Sequence, residues 1–356
     1  MSARLPVPAT LGFRLPPEWH PHAATWIAWP HNRTDWPGKF APIGWTYCEI
    51  VRHLALSEQV FVLVQDARAE QSARRLLEKC HVPLDHVRFF RRRTNRGWTR
   101  DFGPLFLRDR RGAPAAVKFR FNAWAKYSDW RLDDAAGDFM ARRSGARIWR
   151  PLRRGRRLVL EGGAIDVDGE GLLLTTEECL LSSVQARNPG LDRERYEQLL
   201  CDYLGVRKIL WLDRGIAGDD THGHVDDIAR FVAPSTVVAA LESDPLDPNY
   251  EPLRENWRRL RRMRDLRGRP LRVIALPMPE PVFFKGQRLP ASYANFYIAN
   301  KVVIVPTFND PNDRAALETL ARLFPDRRVV GIYARDLVLG LGTLHCLTMQ
   351  QPAAGS

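Results

Sequence analysis

The sequence has no CxxC pair. Its five cysteines, Cys48, Cys80, Cys179, Cys201 and Cys346, are odd in number and widely spread, which argues against a disulfide framework and against a four-cysteine zinc site. No apolar run approaches the length of a membrane span. The opening stretch MSARLPVPATLGFRLPPEWHPH lacks the apolar core of a signal peptide, so the expected location is the cytoplasm. No linker or low-complexity block divides the chain, and a single catalytic domain over residues 1–356 is expected. Helix-turn-helix, zinc-finger and aromatic RNA-binding signatures are missing, as are HxxxH and HExxH pairs and any motif of a nucleotide-binding βαβ unit.

Arginine is what the chain has in excess. The formal net charge is +13 and the pI about 10.0. The charge sits in runs such as FFRRRTNRGWTR, RPLRRGRR and RRLRRMRDLRG. Such runs suit an anionic surface or nucleic acid, or else are solvated faces of an arginine-rich composition. With no recognition motif beside them the second reading is preferred, and a basic nucleic-acid-binding protein remains a remote alternative.

One pattern recurs along the chain. Two short apolar strands flank a turn at Asp109–Gly112, again at Asp168–Gly171, at Ala233–Ser235 and at Ala299–Lys301, which is a hairpin signal. Stretches with apolar residues at helical spacing lie between the hairpins: YCEIVRHLALS, LDRERYEQLLCDYLGV (stopping at Gly205), NYEPLRENWRRLRRMRDLRG and PNDRAALETLARLF. VFVLVQD reads as a buried strand. A repeated strand–strand–helix unit in an α/β protein suggests a radial or stacked architecture around one shared core.

The residues that open these units carry the chemistry: Asp101, Glu161, His224 with Asp226, Asn295 and Cys346. Brought together, the carboxylates would repel one another unless a cation lay between them. A planar guanidinium is the natural guest, since a carboxylate grips it through two parallel hydrogen bonds. A thiolate is a good nucleophile near neutral pH, and a histidine beside it can move protons. Each residue also has a plain reading: Asp101 as a surface ion pair with Arg100, Glu161 as a solvated strand end, Asn295 as a turn cap, Cys346 as a core thiol. Their joint occurrence at equivalent positions favours chemistry. The other four cysteines are read as passive core thiols whose substitution leaves turnover nearly unchanged. A rival reading places His222, His224 and Asp226 of THGHVDD on one strand face around a metal ion.

The motifs EWHPHAATWIAWP, WTRDFGP, FNAWAKY, EGGAIDVDGEGLLLTTEECLL, RNP, DDTHGHVDD, SYANFYIANKVVIVPTFNDPNDRAA and GTLHCLTMQQP follow one another across nearly the whole chain. In this order they resemble the agmatine deiminase family of guanidino-group-modifying enzymes, which includes bacterial peptidylarginine deiminase. The resemblance implies a pentein fold, a five-bladed α/β propeller of strand–strand–helix–strand modules. It implies Cys346 as nucleophile, His224 as general acid/base and Glu161 as its orienting partner. Asp101 and Asp226 would hold the guanidinium, with Asn295, Asp220 and Trp98 in the substrate-binding group. It implies no metal and no cofactor. The expected partner is a small guanidino compound, without nucleic acid or membrane, and self-association as a homodimer stays open. The expected reaction is hydrolysis of agmatine to N-carbamoylputrescine and ammonia, in polyamine and putrescine biosynthesis; free arginine, another guanidinoalkylamine or a C-terminal peptidylarginine are the alternatives.

Two departures stand out. Leu341 occupies a position in GLGTLHC where the family usually has glycine, so either the turn differs or the position does not need positive φ. Asp220 stands where agmatine deiminases usually carry a glutamate that receives the far amine. It keeps the charge and shortens the reach, which puts substrate length in question.

Overall fold

The structure is a computed structural model, and it describes residues 6–354. In chain order, β1 (His22–Ala28) leads through α1 (Phe40–Leu54) to β2 (Gln59–Val64), and α2 (Ala67–Lys79) connects β2 to β3 (Val87–Arg91). The short helix α3 (Thr99–Phe102) precedes β4 (Leu105–Arg108) and β5 (Pro114–Val117), and α4 (Arg131–Arg143) leads to β6 (Arg147–Trp149). A small hairpin, β7 (Leu152–Arg153) and β8 (Arg156–Arg157), comes before β9 (Asp166–Val167) and β10 (Leu172–Thr176). Two helices, α5 (Glu177–Leu181) and α6 (Arg193–Leu204), then reach β11 (Lys208–Leu212). The next unit is β12 (Ala229–Ala233), β13 (Thr236–Leu241), α7 (Tyr250–Arg262) and β14 (Arg272–Pro277). After the hairpin β15 (Phe283–Phe284) and β16 (Gln287–Arg288) come β17 (Tyr297–Ile298), β18 (Val302–Thr307), α8 (Asp313–Leu323), β19 (Arg328–Tyr333) and finally β20 (Met349–Pro352).

The sheets repeat one pattern. β4-β5-β6, β9-β10-β11, β12-β13-β14 and β17-β18-β19 each pair their first two strands antiparallel and their last two parallel. The chain ends complete the same pattern: β20 lies antiparallel to β1, and β1 and β2 are parallel, with β3 added at the edge. An antiparallel pair needs only a tight turn, and all four turns expected from the sequence lie between paired strands. A parallel pair needs a long crossover, which is where the helices sit. The helices α2 and α4 were not expected. The side chain of Asp66 caps α2 by accepting from the Ala69 N–H at 2.8 Å, and the helical run ARAEQSARRLLEK buries only Ala73 and Leu77, so its apolar stripe is thin.

Apolar side chains fill one large core containing Trp26, Phe102, Tyr293 and Tyr297. A smaller one lies under α7, where Leu253 and Leu260 meet Phe231 and Val237. Each fully buried large side chain contributes about 1.5–3 kcal/mol. The segments just before β4, β9, β12, β17 and β20 hold Asp101, Glu161, Asp226, Asn295 and Cys346 in turn. Among the described residues no helix is long and apolar enough to cross a membrane.

Candidate active site

Local turns set the side chains of the site. Asp101 lies in α3, Glu161 caps the 3-10 turn Gly162–Ala164, and His224 caps the 3-10 turn Val225–Asp227. All three are buried, with Glu161, His224 and Asp226 at 0% exposure. Gly163 allows the approach: a Cβ there would come within 2.5 Å of His224 Nδ1 and 3.0 Å of Asp101 Oδ1. Its own N–H donates to Asp101 Oδ1 at 3.2 Å, and Trp124 Nε1 donates to Oδ2 at 2.9 Å.

His224 is ringed by acid. Nδ1 lies 3.8 Å from Asp101 Oδ1, and Nε2 lies 3.7 Å from Glu161 Oε2. Burial alone would lower its pKa. The Asp101 charge, Cys179 and Glu161 overcome that and hold the imidazole well above its ordinary value. Neither ring nitrogen has a hydrogen-bond partner, and Asp226 Oδ1 has none either. Asp101 is pushed up to about 6 by burial and by Asp226 and Glu161, against the pull of His224. Glu161 moves the other way. Burial would raise it, yet Arg187, whose Nε donates at 3.2 Å and 3.3 Å to the two carboxylate oxygens, and His224 hold it at about 2.

Cys346 follows the 3-10 turn Leu337–Gly340 and the glycine-rich GLGTLH segment. Its Sγ receives a hydrogen bond from Asn295 Nδ2 at 3.2 Å and lies 3.7 Å from Asp226 Oδ2. Asn295 locks the turn as well: its Oδ1 accepts from Thr343 Oγ1 at 2.7 Å and from the His345 N–H at 3.1 Å. Burial, together with the charges of Asp226, Asp227 and Asp101, raises the thiol pKa well above its ordinary value.

The Sγ opens on a cavity of about 320 Å³ whose lining includes Trp98, Asp101, Trp124, Tyr127, Asp220 and Leu341. The structure therefore brings Asp101, Glu161, His224, Asp226, Asn295 and Cys346 together, with Trp98 and Asp220 on the cavity wall. Leu341 answers the question raised by the sequence: it adopts φ 67°, so the left-handed turn is kept without glycine, at a cost of roughly 1–2 kcal/mol. Asp220 is not a free carboxylate. Lys126 Nζ pairs with its Oδ1, and Tyr127 donates its hydroxyl to Oδ2 at 2.6 Å.

One reading needs correction. The segment around His222, His224 and Asp226 is not a strand. His222 takes φ 62° and bonds Ser182 Oγ at 3.1 Å, which turns it away from the other two. Among the described residues the one trio with metal-ligand spacing is Glu161, Cys179 and His224, within 4.8 Å of one another; the Arg187 cation on Glu161 opposes a metal there. Cys179 sits in the core, as a buried thiol would, and also borders His224. The residues that sequence reasoning missed form the floor of the site. His345 Nδ1 lies 2.6 Å from Asp226 Oδ2 and its Nε2 2.8 Å from Glu18 Oε2, and Glu18 also binds Arg100 at 2.9 Å and Arg230 at 2.8 Å. Only the adjacency of His345 to Cys346 hinted at this. Glu18 and Arg187 open the motifs EWHPH and RNP, but nothing local to either gives its role in the site.

Known proteins resemble the chain over nearly its whole length. A "Putative agmatine deiminase" of Latilactobacillus sakei is 39% identical, with 96% of each chain covered. The solved agmatine deiminase of Enterococcus faecalis superposes with a TM-score of 0.89 at 35% identity over 98% of both chains. A cysteine-to-serine variant of C. jejuni agmatine deiminase with substrate bound gives 0.85 at 29% identity, covering 96% of this chain and 97% of that one. An amidinotransferase from Microseira wollei, 12% identical and covered at 97% and 99%, shares the mixed α/β fold at a TM-score of 0.56. Residues 14–352 match the Porphyromonas-type peptidyl-arginine deiminase family, and the chain belongs to it.

Proposed function

We propose that this chain is an agmatine deiminase, hydrolysing the guanidinium of agmatine to N-carbamoylputrescine and ammonia through a covalent intermediate on Cys346. The observation that carries the reading is the set of buried, partnerless atoms around Cys346: Asp226 Oδ1 and both nitrogens of His224. A planar cation supplies N–H donors to Asp101 and Asp226 and cancels their repulsion. The same cation lowers the thiol pKa, because the charges that raise it are those it neutralises. As the cation binds, the Cys346 thiol loses its proton to solvent, and the thiolate attacks the central carbon. The imidazolium of His224 protonates one amino group, which leaves as ammonia, and a thiouronium remains on sulfur. The neutral imidazole takes a proton from water as its oxygen adds to that carbon. Collapse breaks the carbon–sulfur bond, the hydroxyl proton of the adduct passes to the departing sulfur, and the neutral ureido product leaves with the Cys346 thiol restored. Glu161, held ionised by Arg187, stabilises the imidazolium.

Asp220 receives the far amine of agmatine once Lys126 gives way. The repeated sheets fit a five-bladed propeller whose opening ends converge on this site, with the whole chain as one catalytic domain. Five free cysteines fit a reducing cytoplasm, and the product fits polyamine synthesis. The test is ammonia release from agmatine, arginine, shorter and longer guanidinoalkylamines and a peptide ending in arginine. Clear preference for agmatine supports the assignment. Turnover of another guanidine moves the substrate, and no turnover of any overturns it.

A further inference from the structure

The run RPLRRGRR is not absorbed by the deiminase site. It forms the β7–β8 hairpin, and Arg154 takes the left-handed conformation in its turn, φ 49°. The hairpin walls a cleft of about 820 Å³ lined by Arg120, Arg153, Arg154, Arg156, Arg157 and Arg187, a volume ordinary for small-molecule sites. No Asp or Glu lines it among the described residues. Two of the six guanidinia are committed elsewhere. Arg157 pairs with Asp134 at 3.1 Å and with Asp138 at 3.5 Å, and Arg187 pairs with Glu161. Arg153 reaches only the Gly190 carbonyl, at 3.1 Å. Arg120 stacks on Trp130 at 4.5 Å, and neither it nor Arg154 nor Arg156 makes an ion pair among the described residues.

Composition alone does not produce this. On α7, which also carries five arginines, Arg254, Arg258 and Arg259 each face a carboxylate, at 3.9, 3.6 and 3.2 Å, and only Arg261 and Arg262 make no ion pair among the described residues. Like charges gathered in one concavity without counter-charge focus a strong positive potential. Guanidinium cannot relieve it by losing a proton. Several planar forks aimed into one cleft match the oxygens of linked phosphates, each fork taking two.

We infer that this cleft binds a compound carrying a pyrophosphate group, through Arg120, Arg153, Arg154 and Arg156. Arg187 makes occupancy felt at the deiminase site, a coupling that rests on the role given above to Glu161. The Arg187 side chain is closed off from solvent and its donors are held by Glu161 and by the Gln185 and Thr221 carbonyls, so an anion in the cleft acts through its field, offsetting the Arg187 charge that holds Glu161 ionised.

The test is calorimetric titration of the full chain with inorganic pyrophosphate and with ADP. Both are repeated on R153A/R154A/R156A and on R258A/R261A/R262A, which removes the same charge from α7. Saturable one-to-one binding is expected, weakened at least about tenfold in the cleft variant and unchanged in the α7 variant. Equal binding by wild type and cleft variant overturns the site, as does a non-saturating ion atmosphere. Tighter binding of pyrophosphate assigns the ligand to inorganic or polyphosphate sources, and tighter binding of ADP to nucleotides. Still tighter binding of a single-stranded oligoribonucleotide, lost in the cleft variant, overturns the small-ligand assignment. Saturating pyrophosphate is expected to lower kcat/KM for ammonia release in wild type and not in the cleft variant. Unchanged kinetics at saturation overturns the coupling. The binding arm needs no turnover, so it stands or falls separately from the deiminase reading.

Discussion

Two concavities of opposite charge meet at the Arg187–Glu161 ion pair. On one side Asp101, Glu161, Asp226 and Asp227 crowd around His224, all buried. On the other, Arg120, Arg153, Arg154 and Arg156 line a cleft with no carboxylate in its wall, and Arg154 and Arg156 are exposed. The difference follows from what each side chain can do about repulsion. A carboxylate can take up a proton: Asp101 is pushed up to about 6, and burial with the charges of Asp226 and Asp219 raises Asp227 well above its ordinary value. An arginine has no such escape. The acid cluster can therefore be sealed inside the fold, while the basic one must keep contact with solvent or an anion.

The sharpest way to test the acidic side is to remove its nucleophile. Cys346→Ser should cut ammonia release by roughly three or more orders of magnitude while leaving the unfolding midpoint in place. Substantial residual turnover would remove Cys346 from the role. Next in size is the bridge itself. Arg187→Met leaves Glu161 buried without its partner and should cost roughly 3–5 kcal/mol in urea unfolding. The double variant Arg187→Met/Glu161→Gln should regain most of that stability without regaining turnover. If the single change proves nearly neutral, the two concavities do not share a structural bridge.

A smaller effect is the pH dependence, where the two buried carboxylates act with opposite sign. Asp101 is raised from 3.8 to about 6, so between those values the folded chain binds more protons than the unfolded one. Its contribution to stability is full below pH 3.8 and lost as pH rises toward 6. Glu161 is lowered from 4.5 to about 2; its contribution is present above pH 4.5 and lost as pH falls toward 2. Cation binding needs Asp101 ionised, so kcat/KM for agmatine should fall as pH drops below about 6. Asp35, on the cavity wall and also raised to about 6 by burial despite Arg96, is the control. Asp35→Asn should leave the acid limb in place, and its disappearance in that variant would reassign the limb.

The acidic side was far more legible in the sequence than the basic one. Asp101, Glu161, Asp226, Asn295 and Cys346 each sit just before the first strand of a sheet, so a repeated local pattern marked them. The hairpin turns could be read because their glycines and polar residues act locally. Arg187 and Glu18 could not, because what each does depends on partners far off in sequence, Glu161 for the first and Arg100, Arg230 and His345 for the second. Cys179 looked like any core thiol, since only the packing of α5 places it beside His224. The arginine runs were visible, but which were paired and which were not depended on the fold: α7 places Glu251 and Glu255 among its arginines, whereas RPLRRGRR carries no acid of its own.

Lys126 gives the finest version of the comparison, an exposed cation held against Asp220 of the acidic pocket's wall. Its ammonium already pairs with Asp220 and lies 5.5 Å from the Tyr127 ring centroid. On the proposed reading, in which Asp220 receives agmatine's far amine, the substrate must displace a tethered competitor. The Lys126 side chain is 41% exposed, so the pair is partly screened and its loss is a modest effect. Lys126→Met should lower KM for agmatine by roughly three- to tenfold, with kcat little changed, because the amine is remote from the reacting carbon. Butylguanidine, which has no amine, should show the same KM in both proteins. Asp220→Asn should raise KM for agmatine and leave butylguanidine alone. Should Lys126→Met raise the agmatine KM instead, the lysine is part of the binding surface rather than a rival for it, and the outer end of the pocket is built for a tail other than an amine.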